Sequence, residues 1–243
     1  MHDIHVAALA QRISASLTRR AGLGLIAASL PLLAVDATDA KKKKITLCVN
    51  GKTANKPKKK AKKLLKQGAS KGRCRCGNGG PCFAFVTAAA FTGSAITGLA
   101  GADASCQEAA SVAGLPGTYK AWLSAGGSTP ATRFTNTANA GPYVRVTGPL
   151  VANSFAELLA CPGGTCQASS INEAENGQSR TASPVWTGTK SDGTASPDTC
   201  NGWTSDTGQG LVGNTNLVNT QWTDNGTNAC SEARPIFCFQ QAT

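Results

Sequence analysis

Two helical patterns and a set of short strand-like runs hold most of the apolar positions in this chain. Early on, ITLCV and KTA flank Asn50-Gly51, a pair that tolerates positive φ at both central positions of a tight turn, so a β-hairpin is expected there. Pro57 suits the first position of a following helix. KKKAKKLLKQ carries Ala61, Leu64 and Leu65 at helical spacing, and Gly68 suits the position beyond its end. Further on, AFVTAAAFTG reads as a strand ending in a Thr-Gly turn. GADASCQEAASVAGLPG reads as a helix in which Asp103 or Ser105 is the cap, Ser105 and Glu108 fit a capping box, and Cys106, Ala109, Ala110 and Ala113 share one face. Gly114 and Pro116 end it. YKAWLS, PYVRV, SPVWTGT, TCNGWTS and PIFCFQ are short strand-like pieces in a background of Thr, Asn, Ser and Gly. The expectation is an α+β domain with long polar loops, neither a helical bundle nor a doubly wound sheet.

Residues 1–40 read as an export signal. Arg12, Arg19 and Arg20 accompany AGLGLIAASLPLLAV, an apolar run of fifteen residues, too short to span a bilayer comfortably. Thr18-Arg19-Arg20 fits the twin-arginine route, with an ordinary secretory signal as the alternative, and cleavage is expected after Ala37 or Ala40. No later segment is apolar enough for a membrane span. Export implies an oxidising destination, so the ten cysteines, all of which follow the signal, are expected to form disulfides. Cys161-Pro-Gly-Gly-Thr-Cys166 can close a local loop. A zinc reading of Cys74, Cys76 and Cys82 has poor ligand spacing. The only histidines, His2 and His5, lie inside the signal. The exported part therefore has no imidazole for a nucleophilic triad, a general base or a zinc ligand.

Charge divides what remains. Residues 41–76, from the lysine run at Lys41 to Cys76, hold fifteen Lys/Arg and no Asp/Glu. From Gly77 on, six Lys/Arg face ten Asp/Glu, a balance of −4. A basic segment (41–82) thus precedes a weakly acidic domain (83–243). The segment is too small to fold on its own core, and a disulfide from Cys48 to Cys74 or Cys76 would close it. Its Cys-x-x-Gly-x-Thr, Leu-x-x-Gly and Gly-x-Cys elements resemble short cysteine-bracketed modules that precede larger domains in some secreted bacterial proteins. Outside a cell, such lysine density attracts anionic envelope polymers, and a solvated basic spacer is the plainer alternative. With no interleaved aromatics to stack bases, specific nucleic-acid binding is not expected.

In the larger domain, the stretches FVTAAAFTGSAITGLAGADASCQEAA, GLPGTYKAWLS, STPATRF, GPYVRV, VWTGTKSDG, CNGWTSD and WTDNGTNACSEARPIFCF together resemble the C-type-lectin-like fold. Within that fold they resemble a family of bacterial exported domains of uncharacterised function, related to the endostatin-like collagen domain. The resemblance runs from about Phe83 to Phe239, about two-thirds of the chain. It implies a disulfide-stabilised domain with Cys106–Cys238 tying the helix to the last strand and Cys200–Cys230 closing the loop region. With Cys161–Cys166 local, Cys48, Cys74, Cys76 and Cys82 are left to pair among themselves. The Trp-Asn-Asp of calcium-dependent lectins falls on Trp222, Thr223 and Asp224, with Thr223 in place of the Asn. The companion Glu-Pro-Asn has only SINEAENG and ASPDTC as its nearest strings. No cofactor is therefore assigned, and calcium enters only if carboxylates such as Asp198, Asp206, Asp224 and Glu232 converge. Asp206, Trp222, Asp224 and Asn225 are the candidate ligand contacts, although burial is the commoner role for Trp122, Trp186, Trp203 and Trp222. The function expected is a secreted, non-catalytic binding or adhesion module for a surface glycan or protein. The alternatives are a carboxylate-based glycan-acting enzyme, with Glu173 and Glu175 as the nearest pair, and a structural surface or matrix component.

Overall fold

The computed structural model describes residues 43–136, 140–161, 164–181 and 183–242, so the expected export signal lies outside the described residues. β1 (Lys44–Val49) and β2 (Lys52–Pro57) form the expected hairpin, turning at Asn50 and Gly51 with φ of 49° and 73°. β3 (Ser70–Lys71) pairs with the other edge of β1. α1 (Lys58–Lys66) follows β2 directly. Pro57 does not open this helix as its first residue: it ends β2 in an extended conformation and stands one position outside. Gly68, at φ 96°, donates to the Leu65 carbonyl while Ala69 donates to that of Leu64, which closes the helix end. The segment buries little more than Leu47, Cys48 and Ala61, and the Cys48–Cys74 bridge clips it shut.

The larger part is built on a five-stranded sheet in the order β5-β11-β4-β6-β7. Its strands are β4 (Cys82–Val86), β5 (Tyr119–Ala121), β6 (Tyr143–Val144), β7 (Leu150–Ala152) and β11 (Phe237–Gln240). β11 runs antiparallel to both β5 and β4, and β4 runs parallel to β6. A smaller antiparallel sheet holds β8 (Pro184–Trp186), β9 (Gln209–Asn214) and β10 (Thr227–Ala229), with β9 in the middle. The period-two alternation of side chains splits the core between the faces of the larger sheet. Phe237 and Phe239 of β11 join Trp122, Trp222, Phe134 and Phe155 on one side. Cys238 joins Phe85, Tyr119, Trp186 and Trp203 on the other. Trp122 is the hub of the first cluster, with ring centroids 4.6 Å from Trp222 and 5.3 Å from Phe239.

α2 (Gly98–Val112) covers the second cluster with Ala102, Cys106 and Ala110. It starts well before the expected cap. Asp103 lies within it and reaches out of it instead: Oδ1 accepts the Ala121 N–H at 2.9 Å and pairs with Arg133 at 2.5 Å. A carboxylate inside a helix can serve a distant strand as readily as a helix end, and local spacing does not distinguish the two. α3 (Pro130–Arg133) and α4 (Phe155–Ala160) are single short helices. TCNGWTS, expected as a strand, is a tight turn. The chain is thus mixed α+β, with few helices, two further small sheets beside the main one, and five disulfides: Cys48–Cys74, Cys76–Cys82, Cys106–Cys238, Cys161–Cys166 and Cys200–Cys230. Among the described residues no helix is long and apolar enough to cross a membrane.

Bridges that close long loops restrict the unfolded chain most. Cys106 and Cys238 are 132 residues apart and Cys161 and Cys166 only 5. Replacing the first pair by alanine is expected to lower stability by about 5 kcal/mol, against about 2 kcal/mol for the second. Urea unfolding of the two double variants measures the difference.

Candidate functional site: a polar cleft beside a left-handed turn

Cys200, Asn201, Gly202 and Trp203 follow one another with φ of 50°, 53°, 68° and 66°. Cys200 and Trp203 are each disfavoured by about 1–2 kcal/mol in this left-handed conformation, which Asn201 tolerates better, so the surroundings must impose it. Cys200 is bonded to Cys230. Trp203 is fully buried, and its indole N–H donates to the Ser124 carbonyl at 2.9 Å. Thr199 accepts the Gly202 N–H on its hydroxyl at 3.3 Å and the Trp203 N–H on its carbonyl at 2.7 Å. Gly93 lets another loop approach: a Cβ there would stand 2.7 Å from the Cβ of Cys200.

Two more loops face this turn. In the first, Thr189 and Ala195 pair across a short bend, within which Asp192 accepts from the Thr194 hydroxyl at 2.6 Å and from its N–H at 2.9 Å. The Thr194 hydroxyl, followed by its N–H, lowers the Asp192 carboxyl below its ordinary value. The second is the Gly126-Gly127 turn leading to α3, whose start is closed by reciprocal bonds between Thr129 and Thr132. Together the three walls enclose an open cleft of about 970 Å³, with Gly126, Thr132, Ser196, Thr199, Asn201 and Gly202 among its lining residues. Among the described residues, none that lines it is charged or aromatic. It offers hydroxyls, an amide and glycine backbone.

Beneath the cleft lies a buried hydroxyl network. Ser124 and Thr189 share a hydrogen bond of 2.7 Å, Thr223 donates to the Thr189 carbonyl at 3.0 Å, and Thr187 donates to the Thr223 carbonyl at 2.6 Å. The Trp122 indole N–H donates to the Thr223 hydroxyl at 2.9 Å, which joins the network to the aromatic core. A buried network of this kind rigidifies its surroundings when every member is satisfied.

The four candidate contacts do not meet in this cleft. Trp222 is fully buried in the core and presents no face to a ligand. Asp224 is half-buried, and its Oδ2 accepts the Ser191 N–H at 3.0 Å, bracing the first loop from behind. Asn225 is tied by its own N–H to the Val212 carbonyl at 2.7 Å. Asp206 accepts the Ser94 N–H at 2.9 Å and the Ser94 hydroxyl at 2.8 Å, at the start of a single 3-10 turn. All four tryptophans are core residues, none more than 1% exposed. Of the trio matching the lectin calcium motif, the Thr223 hydroxyl is held inside the buried network and Trp222 in the core, which leaves Asp224, with Oδ2 on the Ser191 N–H, as its single carboxylate. Among the described residues no three His, Cys, Asp or Glu side chains gather as ligands, and Glu232 is held by Arg234 and Asn228. Glu173 is buried with Arg145 and Thr147, while Glu175 accepts the Ala88 N–H, so each carboxylate is bonded into a wall. The cleft-lining residues Thr129, Ser196 and Asn201 carry no motif in sequence, and the one signal was the density of Thr, Ser, Asn and Gly around them.

A scan against protein-family models gives no match, and no curated protein matches the chain.

Asn201 should tolerate glycine and reject a β-branched residue. Asn201→Gly is expected to leave the melting temperature within a degree or so, and Asn201→Val to cost about 2 kcal/mol. The backbone N–H of Ser94, then its hydroxyl, then the Thr92 hydroxyl hold the Asp206 carboxyl below its usual value. A carboxyl lowered on folding adds stability above its unfolded value, and that stability is lost as pH falls through the folded value. Asp206→Ala is therefore expected to melt lower at pH 7, and the gap should close only below the ordinary carboxylate range, under about pH 4. Melting curves of both proteins from pH 7 to pH 2.5 test this.

Proposed function

We propose that the chain is an exported, non-catalytic binding module in which a C-type-lectin-like domain takes an uncharged, hydroxyl-rich ligand, a surface glycan, in the cleft beside the left-handed turn. The observation that carries this reading is the chemistry of the cleft lining. Hydroxyls and amides both donate and accept, which matches a polyol, while the lack of charge offers nothing to an ion or to general acid–base work. A strained, disulfide-held backbone at the rim is the kind of pre-organisation that binding sites keep. The bridge arrangement Cys106–Cys238 with Cys200–Cys230 supports the resemblance to exported lectin-like domains. This reading calls for no metal: hydroxyls, an amide and backbone groups of the cleft supply the contacts.

The basic segment adds a second affinity. Lys58, Lys59, Lys60, Lys62, Lys63 and Lys66 project from α1 into solvent, and none takes part in an ion pair among the described residues. Unpaired lysines at this density favour anionic envelope polymers and hold the domain near its ligand. The two affinities separate experimentally. On an array of neutral and acidic glycans, the chain is expected to bind a neutral glycan saturably, with or without EDTA. Pro197→Trp, which fills the cleft from an exposed position, should weaken that binding by at least about tenfold. Lys59→Gln/Lys62→Gln/Lys63→Gln should spare it while weakening the salt-sensitive capture of acidic polymers. Full affinity in Pro197→Trp, or the absence of any saturable glycan, would overturn the cleft reading.

A further inference from the structure

A second concavity lies where the basic segment meets the domain. It measures about 520 Å³, within the range of small-molecule sites, and is lined by Cys74, Cys76, Arg75, Pro81, Phe83, Pro116, Gly117 and Gln240. Its floor is apolar: two prolines, the half-buried Phe83 ring and the sulfurs of two disulfides. The Gln240 amide donates one N–H to the Pro116 carbonyl at 2.7 Å and accepts the Phe83 N–H at 3.0 Å, which fixes its orientation. Gln240 therefore shapes the site as a neutral, fixed group. Arg75 is different. It is exposed, and its guanidinium has neither hydrogen bond nor ion pair among the described residues.

The backbone of Arg75 is held more firmly than that of an ordinary surface arginine. Its neighbours on both sides are disulfide-bonded: Cys74 to Cys48 and Cys76 to Cys82. Its carbonyl accepts the N–H groups of Asn78 and Gly80 at 2.8 Å and 3.1 Å. Gly80 packs so closely that a Cβ there would fall 2.5 Å from the Arg75 nitrogen. A planar cation on a fixed backbone beside an apolar floor is suited to one kind of molecule. We infer that this groove binds a small amphipathic carboxylate, with the acid group on Arg75 and its aromatic or aliphatic body on Pro81, Phe83, Pro116 and the two disulfides. The guanidinium fork meets a carboxylate through two parallel hydrogen bonds, and the surrounding segment, which lacks any acidic side chain, raises the local concentration of anions. The site is independent of the glycan cleft and stands or falls separately from it.

The probe is 2-naphthoate, titrated into the isotopically labelled mature chain and followed by amide NMR, with 2-naphthylmethanol as the uncharged control of the same shape. Saturable shifts are expected at Phe83, Gly117 and Gln240, with the acid binding about fivefold tighter than the alcohol. In Arg75→Gln the acid should fall to the affinity of the alcohol, while Lys59→Gln/Lys62→Gln/Lys63→Gln keeps the wild-type preference. The proposal is overturned by equal binding of acid and alcohol to the unaltered chain. Shifts confined to the lysines of α1, or an acid preference that survives in Arg75→Gln, overturn it equally.

Discussion

β11 is hydrogen-bonded on both sides, and its four side chains make three different attachments. Phe237 and Phe239 enter the aromatic cluster around Trp122, while Cys238 crosses to the opposite face and is bonded to α2. Gln240, one residue on, bonds to Phe83 and Pro116. The strand has only four residues, yet both cores, the long helix and the floor of the Arg75 groove take their positions from it. The domain has few regular hydrogen bonds to spread load over, so a short central strand bears what a larger sheet would share. Covalent bonds do the rest, at the helix, at the left-handed turn and on both sides of Arg75.

The parts legible in sequence were those fixed by near neighbours. Asn50-Gly51 requires a backbone that few other pairs accept, and the hairpin followed. Cys106, Ala109 and Ala110 repeat at helical spacing, and the helix followed, although its first turn did not. Gly98 to Asp103 carries no local stop or start strong enough to read, and Asp103 is committed to Ala121 and Arg133 from elsewhere in the chain. In QGLVGN two glycines mask a strand, and Gly210 and Gly213 are needed there for close approach, to Trp186 and to the Trp222 carbonyl. CNGWTS has the composition of a strand end, yet its conformation is imposed by a disulfide partner thirty residues away and by the bed of Trp203.

The site was less legible than the fold, for a related reason. The polar residues that looked available, Asp206, Asp224 and Asn225, are occupied in holding loops, and Trp222 is occupied in holding the core. Thr223 looked like a defective metal ligand and is instead the junction between the aromatic core and the hydroxyl network. The residues that do line the cleft are small and unremarkable in sequence, and they gain meaning only when three distant loops are placed side by side. Polar loops of this kind spend most of their hydrogen bonds on themselves, and what is left over defines the surface.

β11 comes after every other strand in chain order, yet it sits between β4 and β5. Until it arrives, those two strands have no partner on their facing sides, and neither aromatic cluster can close. Assembly therefore waits on contacts of very long sequence separation, which is the slow regime for folding. Oxidation is ordered by the same fact. Cys76–Cys82 and Cys161–Cys166 span short loops that close early at little entropic cost, whereas Cys106 must remain reduced, or shielded from the other thiols, until Cys238 is placed beside it. The bond that secures the finished molecule is thus the one most exposed to mispairing while the chain is still folding.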